Sequence, residues 1–209
     1  DSSVFYRVDY NVPMENGEIS DDTRIEGTLP TLMMMRERGA RIIIASHLGR
    51  PKGARNEKYS LLPLRAKISE MLNNAEVDFA RDCVGPEALA KAAALPPGGM
   101  LLLENLRFHP GEESNDPAFA AQLRELATYY VNDAFGASHR AHASIVALPE
   151  LFPATNVAGG LLLVRELQFL QKVTNVSACP FVAVLGGAKI AGNIEPLEAL
   201  VNLADPLLI

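Results

Sequence analysis

Short apolar runs rich in β-branched residues or leucine recur along the chain, and between them the apolar spacing turns helical. That alternation marks βαβ units. A parallel strand buried on both faces reads as a continuous apolar run, and its crossover reads as a helix. Strands are predicted at Val4–Val8, Arg41–Ser46, Val77–Phe79, Met100–Leu103, Tyr129–Val131, Phe181–Leu185 and Leu207–Ile209. The fold class that follows is α/β, a parallel sheet wrapped by helices in three layers.

The helix signals fit between these strands. One helix is predicted to start after Asp21-Asp22, run through Leu32–Arg38 and stop at Gly39, with Pro30 setting a kink or a late start. A second runs from a Ser60 cap to about Leu72, with Pro63 in its first turn. A third opens at Asp116-Pro117 and continues to about Ala127, and Leu161–Val173 has helical periodicity after Gly159-Gly160. No internal repeat or low-complexity tract interrupts the pattern.

Composition narrows the function classes. The 209 residues are 48% hydrophobic and 21% charged, as in soluble globular proteins, and a net charge of −6 argues against a nucleic-acid footprint. Cys83 and Cys179 show no metal-ligand spacing and are read as buried thiols in a reducing compartment. No signal segment or membrane-length apolar run is apparent, so a cytoplasmic protein without membrane partners is expected. Both ends read as cut: an apolar run begins at Val4, and the sequence closes on Pro206-Leu207-Leu208-Ile209.

The polar residues collect just after the strands. Val4–Val8 is followed by Asp9 and Asn11, Ile42–Ala45 by Ser46-His47-Leu48-Gly49-Arg50, Leu101–Leu103 by Glu104-Asn105-Leu106-Arg107, and Tyr129–Val131 by a segment holding His139, Arg140 and His142. In an open parallel sheet these strand ends share one edge, where ligands bind. All four histidines and Arg50, Arg107 and Arg140 fall there, with Arg24 entering ahead of the first helix. An acidic chain that gathers cations on one rim points to a small, multiply anionic ligand, since guanidinium groups fork onto phosphate and carboxylate. His139 and His142 lack the partners of a metal site, and no G-x-S-x-G or G-x-G-x-x-G turn is present. Near the end, a predicted strand runs into Gly186-Gly187-Ala188-Lys189, a turn whose amides and lysine suit phosphate.

Six segments together resemble the phosphoglycerate kinase family: RVDYNVP at 7–13, DDTRI at 21–25, SHLGRPKG at 46–53, ENLRF at 104–108, NDAFGASHRAHAS at 132–144 and GGAK at 186–189. The resemblance implies the N-terminal lobe of a two-lobed monomeric kinase, each lobe Rossmann-like. It implies reversible phosphoryl transfer between 1,3-bisphosphoglycerate and Mg-ADP, giving 3-phosphoglycerate and ATP. Carried over residue by residue, the phosphoglycerate site comprises Asp9, Asn11, Arg24, His47, Arg50, Arg107 and Arg140. Arg24 and Lys189 are the charge-stabilising catalytic pair, and Gly187, Ala188 and Lys189 meet the nucleotide. Asn193 stands where the family has a second lysine, which removes a cation from the nucleotide phosphates. The implied division is a phosphoglycerate-binding domain over 1–156, a connecting helix over 157–176, and the start of a nucleotide domain over 177–209. Closure about the connector would bring Arg24 and Lys189 together. With most of the family's nucleotide lobe lying beyond Ile209, the alternative is a half that binds 3-phosphoglycerate without transferring anything.

Overall fold

A computed structural model describes residues 2–15, 17–174, 182–184 and 207–208. The strands, in chain order, are β1 (Ser3–Arg7), β2 (Met14–Glu15), β3 (Glu18–Ile19), β4 (Arg41–Ala45), β5 (Val77–Ala80), β6 (Met100–Leu103), β7 (Tyr129–Asn132), β8 (Val157–Gly159), β9 (Ala183–Val184) and β10 (Leu207–Leu208). The helices are α1 (Thr23–Glu26), α2 (Leu29–Glu37), α3 (Leu62–Met71), α4 (Pro86–Ala94), α5 (Pro110–Glu113), α6 (Pro117–Arg124), α7 (Ala147–Glu150) and α8 (Leu161–Thr174). The chain divides into two units, Asp1–Val164 and Arg165–Ile209.

In the first unit six strands form a sheet in the order β5-β6-β4-β1-β7-β8, and every neighbouring pair is parallel. Side chains alternate across it, as a pleated strand requires. Tyr6, Ile42, Ile44, Met100 and Leu102 face one core with Leu32 and Met35 of α2 and Leu64 and Ile68 of α3. Phe5, Ile43, Leu101 and Leu103 face the other with Ala88 and Ala92 of α4 and Phe119 and Leu123 of α6. The result is the expected three layers. It also explains the continuous apolar runs: Ile42, Ile43 and Ile44 are all fully buried, on alternate faces.

Several boundaries differ from the sequence reading. The first predicted helix is two, α1 and α2, and Pro30 stands in the first turn of α2, the late start of the two alternatives expected of it. Gly39, at φ +73°, follows the end of α2 in the left-handed conformation that glycine tolerates. Asp116 caps α6 by accepting from the Ala118 amide at 2.8 Å, but that helix ends at Arg124. The sequence reading missed α4. The start of the segment expected as a connecting helix is the edge strand β8, and α8 follows at Leu161. In the second unit β9 and β10 pair in parallel, Leu207 opposite Ala183.

Candidate functional site

The parallel sheet carries the chain out of β1, β4, β6 and β7 on the same edge, and the predicted site residues follow these ends. Asp9 lies two residues beyond β1. Its Oδ2 accepts from Arg24, which α1 brings over the strand end, at 2.5 Å, and its Oδ1 accepts from the Asn11 amide at 3.3 Å. The Arg24 side chain is half exposed while the Asp9 side chain is largely covered, so the buried partner aims the exposed one. Gly136 crosses close by: a Cβ there would stand 2.5 Å from Asp9 Oδ2. That glycine is required by the approach of the β7 loop.

His47 lies just beyond β4, buried, with Nε2 3.8 Å from Asp9 Oδ1 and Nδ1 3.3 Å from Arg7 NH2. A guanidinium only donates, so Nδ1 accepts and the ring proton belongs on Nε2, facing Asp9. Burial, reinforced by the charges of Arg7, Arg107, His142 and Arg24, holds the His47 pKa far below the usual histidine range. His47 is therefore a neutral hydrogen-bond donor, not a cation. The same charges place Arg24 and Arg107 within electrostatic reach of one imidazole.

Arg107 sits in a one-turn 3-10 helix, Leu106–Phe108, that follows β6. Asn105 starts that turn by accepting from the Arg107 amide at 3.0 Å, and its own amide donates to the Leu48 and Tyr59 carbonyls. The guanidinium is buried. NH1 donates to the Gly49 carbonyl at 2.8 Å, and Nε has no hydrogen-bond partner among the described residues, with Glu113 Oε1 at 3.5 Å. Burial lowers its pKa, Glu113 opposes this, and Arg7 and Arg140 add to it. Arg140 itself stands in an exposed position after β7. Arg50 follows on the β4 loop and is exposed, and no hydrogen bond or ion pair to the described residues fixes it. Asn11 acts mainly on the backbone: its Oδ1 accepts from the Gly49 amide at 2.8 Å.

Beneath these residues lies a buried ionic layer that the sequence reading did not assign. Arg7, the last residue of β1, is fully buried, donates from Nε to Ser144 Oγ at 2.7 Å and lies 3.8 Å from Glu112 Oε1. Glu112 accepts from the Ser144 amide and hydroxyl at 2.9 and 2.6 Å, and lies 4.0 Å from His142 Nδ1. His142 Nδ1 is itself buried without a hydrogen-bond partner among the described residues. One signal was available: an arginine inside the apolar run Val4-Phe5-Tyr6-Arg7-Val8 must find a partner if that run is a central strand. Of the other histidines, His139 is exposed and His109 pairs with Asp82 away from this layer.

Asp9, Asn11, Arg24, His47 and Arg107 lie together at the C-terminal edge of the sheet, linked directly or through Gly49, and Arg140 stands exposed on the loop that leaves β7 on the same edge. A buried donor without a hydrogen-bond partner among the described residues, Arg107 Nε, sits among positive charge. An anion supplies acceptors and countercharge at once. A cavity of about 480 Å³ shares Asn11 and Gly49 with this rim but none of its arginines or histidines. Gly187, Ala188, Lys189 and Asn193 lie outside the described residues.

The phosphoglycerate kinase family model matches residues 1–209. The chain belongs to the phosphoglycerate kinase family. It is 50% identical to a phosphoglycerate kinase of Pelobacter propionicus, covering 100% of this chain and 52% of that protein. It is 54% identical to one of Thermomicrobium roseum, covering 99% and 52%. Among solved structures it matches the phosphoglycerate kinase of Coxiella burnetii with a TM-score of 0.86 at 37% identity, over 99% of this chain and 51% of that one. The Pyrococcus horikoshii enzyme gives 0.88 at 31% identity. The chain thus spans about half the length of the curated relatives it matches. No helix among the described residues is long and apolar enough to cross a membrane.

Proposed function

We propose that this phosphoglycerate kinase family chain binds 3-phosphoglycerate or 1,3-bisphosphoglycerate at the cationic rim and serves reversible phosphoryl transfer with Mg-ADP and Mg-ATP in the cytoplasm. The observation that carries the reading is the grouping of Arg24, His47 and Arg107 with Asp9, Asn11 and Gly49, beside the loop that bears Arg140, in an otherwise acidic protein. In this assignment His47, Arg50, Arg107 and Arg140 hold the substrate phosphate, and Asp9 and Asn11 orient its carboxylate and hydroxyl end. A neutral His47 donates without adding charge, which leaves the arginines to balance a dianion.

The acceptor is the substrate's own carboxylate, so the reaction needs no protein nucleophile and no general base. What remains for the protein is positioning and stabilisation of charge on the transferring group. Arg24 is assigned that role because it is half exposed yet aimed by Asp9. Lys189 is its proposed counterpart on the nucleotide side, with Gly187 and Ala188 presenting backbone amides to phosphate. Mg²⁺ enters as part of the nucleotide substrate, neutralising its phosphates. Asn193 weakens nucleotide binding in this reading.

Calorimetry tests the substrate assignment. Saturable binding of 3-phosphoglycerate to the purified protein, lost or strongly weakened in both Arg107→Ala and Arg140→Ala, is expected. Wild-type affinity in both variants would overturn it.

A further inference from the structure

A second group of side chains with metal-binding chemistry lies on the same edge of the sheet. The turn after β5 carries Asp82 and Cys83, and the 3-10 turn after β6 ends at His109. His109 Nε2 lies 2.6 Å from Asp82 Oδ1. The Cys83 Sγ, one imidazole nitrogen and one carboxylate oxygen all lie within 4.8 Å of one another. Ligands bonded to one tetrahedral ion at roughly 2.0–2.3 Å stand somewhat closer than that, so side-chain shifts on the order of 1 Å complete the geometry. The His109 ring is held in place by stacking on Phe119, centroids 5.1 Å apart. Asp82 and His109 open to solvent at 50% and 30% side-chain exposure, while Cys83 forms the buried floor.

We propose that Asp82, Cys83 and His109 form a site for a divalent transition metal of the Zn²⁺ class, with water as the remaining ligand. The donor set selects the ion. Thiolate, imidazole and carboxylate suit zinc, whereas magnesium and calcium take oxygen alone. Binding exchanges the Asp82–His109 hydrogen bond for two metal bonds and releases the Cys83 proton to solvent. Because the thiol binds only as the thiolate, occupancy should increase with pH. Arg55, whose guanidinium donates to the Arg81 carbonyl, opposes a cation here and tempers the affinity. A bound ion would join the β5 loop to the turn that carries Arg107. The site was illegible in sequence because its cysteine and histidine belong to different βαβ units.

Cobalt is the probe. The purified protein titrated with Co²⁺ should take up one equivalent, show a thiolate-to-metal charge-transfer band in the near ultraviolet, and lose that band when Zn²⁺ is added. Cys83→Ser should abolish the band. The surface variants His109→Gln and Asp82→Asn, checked for folding by circular dichroism, should weaken Co²⁺ binding by at least about tenfold. They decide the matter if Cys83→Ser does not fold. Absence of the band in excess Co²⁺ would overturn the proposal, as would equal binding by wild type and both surface variants.

Discussion

Gly49 accepts a hydrogen bond from Arg107 NH1 through its carbonyl and donates one from its amide to Asn11, each at 2.8 Å, so one glycine joins the loops after β1, β4 and β6. Its φ is +62°, and a Cβ there would stand 2.4 Å from the ring of Tyr59. Gly49→Ala should therefore cost stability by about 1–3 kcal/mol, from backbone strain and the displaced ring. It should also weaken anion binding. Urea unfolding and calorimetry on the same sample check both effects, and unchanged stability would sink the argument.

Arg107 is the buried cation of the rim. Arg107→Ala should weaken 3-phosphoglycerate binding by about 1.5–3 kcal/mol, the scale of a lost charge-assisted hydrogen bond. Arg107→Lys should recover only part of this, because an ammonium cannot hold the Gly49 carbonyl and fork onto phosphate together. Full recovery in the lysine variant would show that charge alone matters there.

Arg24 should behave differently. Its side chain is half exposed and aimed by Asp9, and its proposed role is to meet charge that develops on the transferring group. In an active enzyme Arg24→Ala should lower kcat much more than it raises KM. Asp9→Asn should move in the same direction through loss of aim. A pure KM effect for Arg24→Ala would reassign it to substrate binding.

His47 gives a pH signature. Its folded pKa is depressed, so the unfolded state binds the proton more tightly, and stability is fully present above the unfolded pKa of roughly 6.5. It is lost as pH falls from there toward the folded pKa, with a slope of up to about 1.4 kcal/mol per pH unit. Burial is the main cause, and the charges of Arg7, Arg107, His142 and Arg24 add to it. Between pH 6.5 and 5 the wild type should lose stability more steeply than His47→Gln. Parallel curves would mean that His47 is solvated.

Legibility in the sequence followed burial and distance. Met100–Leu103 was readable to the residue, because a strand covered on both faces has no polar position to blur its ends. Among the missed elements, α4 carried readable signals, a proline and a glutamate in its first turn followed by alanines, but Ala88 and Ala92 make only a weak apolar stripe for a reading based on periodicity. Asp9, His47, Arg107 and Arg140 could be placed on one rim because a parallel sheet fixes the edge on which strands end. The layer below was only half legible: Arg7 inside an apolar run announces that a partner is needed, but the Arg7–Ser144 bond spans 137 residues and nothing local says which residue it is.

That layer makes a further prediction. Glu112→Ala would leave Arg7 buried without its carboxylate and remove the acceptor of two Ser144 hydrogen bonds. Breaking one side of a buried pair typically costs about 3–5 kcal/mol. Denaturant melts should show a loss of that size. A variant within 1 kcal/mol of wild type, roughly the range of a surface substitution, would place the pair in solvent.

The first turn of α8 is held unusually well for a helix start. Leu161 N–H donates to Thr31 Oγ1 at 2.9 Å and Leu163 N–H to Asp133 Oδ1 at 2.9 Å, while Asp133 Oδ2 accepts from the Tyr6 and Thr31 hydroxyls at 2.7 and 2.6 Å. Gly160 lies so close to this carboxylate that a Cβ would fall 2.1 Å from Asp133 Cγ. Amides at helix starts ordinarily lack partners and trade their hydrogens with solvent quickly. Here the Leu161 and Leu163 amides should exchange deuterium only when the first turn of α8 lifts away from Thr31 and Asp133. The entrance to α8 therefore acts as a clock for release of that helix from the sheet unit.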